Sequence, residues 1–270
     1  MCNRGVDLDT LLRTAPRPLD VRQHVLPGPL QVLVLAPHPD DFDAVGLTLR
    51  HLHAQGHVLH LAVLTSGVSG VEDGFGARDA AAKAALREAE QRASCAFFGL
   101  PPQRVHFLRL WTDEEAQEED RERLRAWMAA RPADLMFLPH GDDSNRTHRR
   151  THETATALAA ELRMPTWAWL NRDAKTRAMR VDAFLAFGEE EAAWKAELLR
   201  FHASQQARNL RTRGSGFDAR VLQVNRDAAA ALSLPQPYAE VFELQPPARP
   251  PTPARSSATT TSLRPEARGR

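Results

Sequence analysis

The sequence predicts an α/β protein, a three-layer sandwich with a mostly parallel, Rossmann-like sheet. Two observations carry that expectation. Short runs that are apolar almost throughout recur along the chain, and between them lie stretches where apolar residues return every 3.6 positions. Strands buried on both faces read as near-continuous apolar runs, and their alternation with helices leads to right-handed βαβ units. A chain of 270 residues, 43% hydrophobic and 26% charged, is long enough to enclose such a core.

The elements follow in order. Residues 31–36 (QVLVLA) form the first strand, apolar after the first position and stopped by Pro37, and 44–55 has helical spacing. Residues 58–65 (VLHLAVLT) are the second strand, followed by a helix over 77–100. The third strand is 105–108, and the helix over 115–130 opens in the acidic run 113–122, read as a solvated helix start. Residues 135–138 (LMFL) make the fourth strand, with a helix over 149–162. Residues 166–170 (TWAWL) and 183–187 (AFLAF) continue the strand series, and 189–210 reads as one long helix. In 238–244 (YAEVFEL) polar and apolar residues alternate, the pattern expected of a late strand at a sheet edge. No internal repeat is present. Residues 1–245 read as a single domain. Residues 246–270, with six prolines, five arginines and almost nothing apolar, are expected to stay disordered as a tail.

Composition excludes several function classes. No run approaches 18 consecutive apolar residues, so a membrane span is not expected, and the amino terminus lacks the apolar core of a secretory signal. Cys2 and Cys95 are too few for a disulfide framework or a thiolate zinc site. The net charge of +1 divides into +4 on the tail and about −3 on the body, a poor field for nucleic acid. No Gly-rich phosphate loop follows a strand. A soluble cytoplasmic protein is the expectation that remains, and composition goes no further.

Two segments concentrate the chemistry. The first strand runs into Pro37, His38, Pro39, Asp40, Asp41, Phe42 and Asp43. In an open α/β sheet, sites form beyond the carboxyl ends of the strands. One aspartate there could cap the next helix, but three beside an imidazole exceed what capping needs. They suit a divalent cation such as zinc. The fourth strand runs into Pro139, His140, Gly141, Asp142, Asp143, Ser144 and Asn145, with His148 and His152 beyond. A catalytic zinc takes about three protein ligands and an open position. His38, a carboxylate of the first loop and an imidazole of the second would meet that count. His148 stands at a helix entry and is better placed for this than His152; Asp142 and Asp143 read as turn residues.

At these segments the chain resembles the PIG-L/LmbE-like family of metal-dependent N-acetyl deacetylases. The features are His38-Pro39-Asp40-Asp41 after a strand, Thr65-Ser66-Gly67 with Gly70, Arg87 to Glu90 followed by Phe98-Gly99-Leu100, His202 to Gln205, and Glu240-Val241-Phe242. The resemblance implies that His38, Asp41 and His148 hold Zn2+ or another divalent metal. It implies that Asp40 is the general base and that Arg87 meets sugar hydroxyls; Arg87 could equally pair with Glu90. The substrate implied is an N-acyl amino sugar or related conjugate, and assembly into a homo-oligomer is common in the family. Two positions depart from the pattern. Phe42 stands where the family usually has Glu, so Asp43 is the candidate for that substrate contact. Asn145 stands where the family commonly has an oxyanion-stabilising His, so Asn145 itself, His140 or His202 are the candidates for that role. These departures leave open a glycoside- or conjugate-binding protein without catalysis, or an amidase of a larger thiol conjugate.

Other features carry less. His51, His53, His57 and His60 read as packed or surface residues, and the tryptophans at 167, 169 and 194 as core. Arg208, Arg211 and Arg213 beside Gly214 form either a solvated loop or a basic rim for an anionic substrate.

Overall fold

The computed structural model describes residues 7–111 and 117–248. Cys2, positions 113–116 of the acidic run and the tail from 249 onward lie outside the described residues. The elements in chain order are α1 Leu8–Thr14, β1 Leu19–Asp20, β2 Gln31–Ala36, α2 Asp41–Ala44, α3 Gly46–Ala54, β3 Val58–Val63, α4 Ala80–Phe98 and β4 Val105–Phe107. They continue with α5 Gln117–Ala129, β5 Leu135–Pro139, α6 Arg146–Glu161, β6 Trp167–Asn171, β7 Ala183–Phe187, α7 Glu189–Arg200, α8 Ala203–Arg213, α9 Phe217–Ala231 and β8 Tyr238–Gln245.

The described strands join one sheet in the order β1-β7-β8-β6-β5-β2-β3-β4. Only β8 runs against its neighbours; every other pairing is parallel. Alternate residues of β2 explain the layering. Val32, Val34 and Ala36 enter one apolar cluster with Leu49, Leu52 and Leu198, while Leu33 and Leu35 enter another with Leu124, Met128 and Leu158. Both faces of the strand are dry, which is why it reads as unbroken apolar sequence. A third, smaller cluster joins Phe184, Ala186, Ala239 and Val241 to Ala228 and Ala229 of α9. Helix ends follow their local chemistry. Asp79 caps α4 by accepting from the Ala82 amide at 2.7 Å, and Gly99 closes it at φ 91°.

Three expectations are corrected. The alternating strand at 238–245 is not an edge: β8 lies between β6 and β7. Its polar positions mislead because Glu240 is turned onto a buried face, where Lys195 Nζ meets Glu240 Oε1 at 2.6 Å. The segment 189–210 is two helices, not one. The break falls at Phe201 and His202, and Glu90 takes the Ser204 amide and hydroxyl at the start of α8, each at 2.7 Å. The helix expected over 44–55 starts earlier, at Asp41, and is interrupted at Val45. Helix α9, unread in the sequence, follows Gly216. Among the described residues no helix is long and apolar enough to cross a membrane.

Candidate metal centre and cavity

Strand β2 lies between β3 and β5. The chain proceeds from β2 outward through β3 and β4 on one side and through β5 and β6 on the other. A crevice therefore opens at the carboxyl ends of β2 and β5, where the order reverses. The loops after those strands, remote in sequence, face each other across it.

In the first loop, Asp41 Oδ2 accepts from the His38 amide at 2.7 Å and lies 3.1 Å from His38 Nδ1. In the second, His148 occupies the first turn of α6, whose cap is Asn145: its Oδ1 accepts from the Thr147 amide at 2.9 Å. His148 Nε2 points at Asp41 Oδ1, 3.6 Å away, and the two imidazole centroids are 5.3 Å apart. One ligand atom from each of His38, Asp41 and His148 can be chosen so that all lie within 4.8 Å of one another. Burial opposes charge on His148, yet Asp41, Asp143 and Asp173 around it outweigh burial and raise its pKa. Burial likewise opposes the Asp41 carboxylate, and the facing His148 and His38 outweigh it and hold the carboxyl well below its ordinary range. His148 Nε2 is buried without a hydrogen-bond partner, a costly state for a ring nitrogen. Two imidazoles, a carboxylate and that orphaned nitrogen fit a divalent cation of the zinc type.

Asp143, read in the sequence as a turn residue, is fully buried and does more. Its Oδ2 lies 3.2 Å from His148 Nδ1, and its Oδ1 accepts from the Asn145 amide at 2.6 Å. A carboxylate behind a ligating imidazole fixes the ring's orientation and tautomer. Asp173, in the loop after β6, adds a second carboxylate 3.8 Å from the same nitrogen. The signal for Asp173 was its place after a third parallel strand on the same edge of the sheet.

Asp40 sits at φ 125°, a left-handed conformation costly for any residue with a side chain. Two residues four apart on α4 hold it there. Arg87 Nη2 donates to Asp40 Oδ2 at 2.8 Å and also to the Pro39 carbonyl, and Gln91 Oε1 accepts from the Asp40 amide at 2.9 Å. Arg87 Nη1 donates to Glu90 Oε2 at 3.2 Å. Arg87 thus makes the pair with Glu90 and binds the loop as well, with 2% exposure. Gly67, at φ 63°, lets the loop after β3 close over this clamp: a Cβ there would lie 3.1 Å from Pro39 Cδ and 3.3 Å from Arg87 Nε.

A cavity of about 490 Å³ opens over these groups, lined by His38, Asp40, Asp41, Arg87, Asn145, Asp173 and Lys175 together with residues of α8 and α9. Five of the expected site residues do not line it: His148 is buried with its Nε2 toward Asp41, and the other four turn elsewhere. Phe42 is buried in the core, edge-on to Phe98. Asp43 and His202 are fully buried against each other, His202 Nε2 lying 2.6 Å from Asp43 Oδ2, which also accepts from Gln91 Nε2 at 3.0 Å. They brace α2, α4 and α8 and do not face the cavity. His140 turns to Glu243, with Nε2 3.5 Å from Oε2, and its Nδ1 accepts from the Asp142 amide. Gln91, which sequence reasoning missed, was findable only as the next residue on the Arg87 face of α4.

Residues 33–159 match a family model described as PIG-L, GlcNAc-PI de-N-acetylase. No curated protein matches the sequence. N,N'-diacetylchitobiose deacetylase from Pyrococcus horikoshii is similar in structure with a TM-score of 0.66 at 20% identity, over 90% of this chain and 95% of that one. GalB, the 4-carboxy-2-hydroxymuconate hydratase of Pseudomonas putida KT2440, has a TM-score of 0.63 at 18% identity, over 83% and 99%. A triple mutant of a deacetylase in the teicoplanin biosynthetic pathway has a TM-score of 0.62 at 14% identity, over 80% and 98%. At these identities the likeness is one of fold, a mostly parallel sheet between helices. The matched segment contains both facing loops with His38, Asp41 and His148, so the resemblance to the PIG-L/LmbE-like family read in the sequence is borne out over that segment.

Proposed function

We propose that the protein is a metal-dependent hydrolase that removes acetyl, or a similarly small acyl group, from the nitrogen of an amino sugar or a related amide, with zinc as the metal. The fold does not choose this reaction, since a hydratase has it too. The observation that carries the reading is the convergence of His38, Asp41 and His148 within 4.8 Å at the mouth of a cavity that Asp40 also lines. The family-model match over residues 33–159 and the two deacetylases among the similar structures support the same reaction.

A divalent cation held by those three residues would act as a Lewis acid, polarising an amide carbonyl and acidifying water near neutral pH. The chain's own groups supply the rest. Asp40, with Oδ2 taken by Arg87, has Oδ1 left to accept a proton from the attacking water and return it to the departing amine. Asn145 lines the cavity as a neutral amide where a charged oxyanion partner would otherwise stand. Asp143 holds the His148 ring.

The test is metal analysis of the purified protein, combined with an assay for freed primary amine on N-acetylated amino sugars. The expected result is about one tightly held divalent ion per chain and turnover that Asp40→Asn abolishes with the ion retained. A protein that neither carries nor takes up a divalent ion would overturn the reading.

A further inference from the structure

The cavity has a second, cationic wall. On α8 the residues Arg208, Asn209, Thr212 and Arg213 line it at helical spacing, and Arg220 faces it from α9. Buried Asn209 is the centre of this wall. Its Oδ1 accepts from Arg220 Nη1 at 2.6 Å and lies 3.5 Å from Arg213 Nη1, while its Nδ2 is anchored to the Gln205 carbonyl at 2.8 Å. Two guanidinium groups are therefore drawn onto one neutral oxygen. Among the described residues no carboxylate forms an ion pair with Arg208, Arg213 or Arg220. Arg211, on the outer side of the same helix, takes Glu72 at 2.7 Å. Burial and the charge of Arg213 push Arg220 below the ordinary arginine value, outweighing the pull of Asp173. Like charges gathered with carboxylates such as Asp173 only at longer range, and none in direct contact, are unfavourable until an anion enters, and the planar guanidinium fork matches carboxylate and phosphate oxygens in pairs.

We propose that this wall is a subsite for an anionic group, a carboxylate or a phosphate, borne by the substrate on a part other than the amide that is cut. The proposal rests on the deacetylase reading and narrows it to N-acyl amino sugars with a negatively charged substituent. The metal-side wall is built of carboxylates and the α8–α9 wall of guanidiniums, so a substrate with its anion at one end has one favoured orientation.

The experiment compares kcat/KM of the metal-loaded protein for three N-acetylglucosaminides whose aglycones are equal in length and end in methyl, carboxylate or phosphate. A charged aglycone is expected to be preferred over methyl by roughly tenfold or more. The preference should shrink with added salt, and R220Q and R213Q should each cut the charged-to-neutral ratio severalfold. Arg213 is exposed, so its variant tests the idea even if R220Q folds poorly. A structural defect would lower both substrates together and leave the ratio unchanged. Equal kcat/KM for all three in wild type, or a preference that survives both substitutions, overturns the subsite and leaves the deacetylase reading intact. If wild type cleaves none of them, that reading fails and calorimetric titration of inorganic phosphate and propionate decides the subsite. Binding weakened in R220Q supports it, and equal or absent binding in both proteins overturns it.

Discussion

Arg87 and Asp40, 47 residues apart, form a buried ion pair in which Arg87 Nη2 donates to Asp40 Oδ2 at 2.8 Å. The same nitrogen holds the Pro39 carbonyl, so one side chain fixes both a strained peptide and the carboxylate it presents. Arg87 is a positioning residue in this arrangement. Arg87→Met is expected to lower kcat by about 100-fold, the scale of a misplaced catalytic group, with metal content unchanged. Arg87→Lys should restore part of it by supplying one donor. Steady-state kinetics with metal analysis checks this; a rise in KM alone would assign Arg87 to substrate binding instead.

Metal retention should depend on Asp143 as well as on the direct ligands. His38→Ala and His148→Ala each remove one of three donors and should abolish stable binding. Asp143→Asn keeps all three and loses only the carboxylate behind His148, 3.2 Å from Nδ1, so a 10–100-fold weaker affinity is expected. Competition with a chromophoric chelator measures it. Unchanged affinity in Asp143→Asn would show that Asp143 serves the fold alone.

Lys195 and Glu240 are a fully buried pair, and Glu240 also accepts from the Leu47 and Thr48 amides at 3.1 and 2.7 Å, at the start of α3. Burial pushes the Lys195 pKa down against the pull of Glu240. Lys195→Met leaves a buried carboxylate without its cation and should cost about 3–5 kcal/mol. Adding Glu240→Gln should recover part of that loss, because no charge then remains uncompensated. Chemical denaturation of the two single variants and the double variant tests the coupling.

Acid stability should report on Asp182. Burial opposes its charge, but Arg180, donating at 2.8 Å from both Nε and Nη2, and the Leu244 amide at 2.9 Å outweigh burial and lower its pKa. A folded-state pKa below the unfolded value of about 3.9 gives stability that is complete above that pH and lost as pH falls through the folded value. The Tm gap between wild type and Asp182→Asn should therefore be widest near neutrality and close below about pH 4. A gap independent of pH would mean that the hydrogen bonds, not the charge, hold β7 to β8.

The sequence by itself determined the strands buried on both faces, because a strand such as β2 that is dry on each side has no polar positions to hide it. It also determined the two loops that carry His38, Asp41 and His148, since their residue types are costly together without a cation. Tertiary structure alone decided what the partly polar segments do. Glu240 looked like a residue facing solvent until Lys195 met it from α7, and Asp143 looked like a turn residue until α6 placed His148 beside it. Phe42, Asp43 and His202 lie in or beside the segments that resemble the PIG-L/LmbE-like motifs, yet helix packing turns them inward. Arg208, Arg213 and Arg220 became one wall only when α8 and α9 closed over the crevice. Periodicity reports whether a position is wet or dry; it does not report which partner makes a buried charge tolerable, because that partner comes from a distant part of the chain.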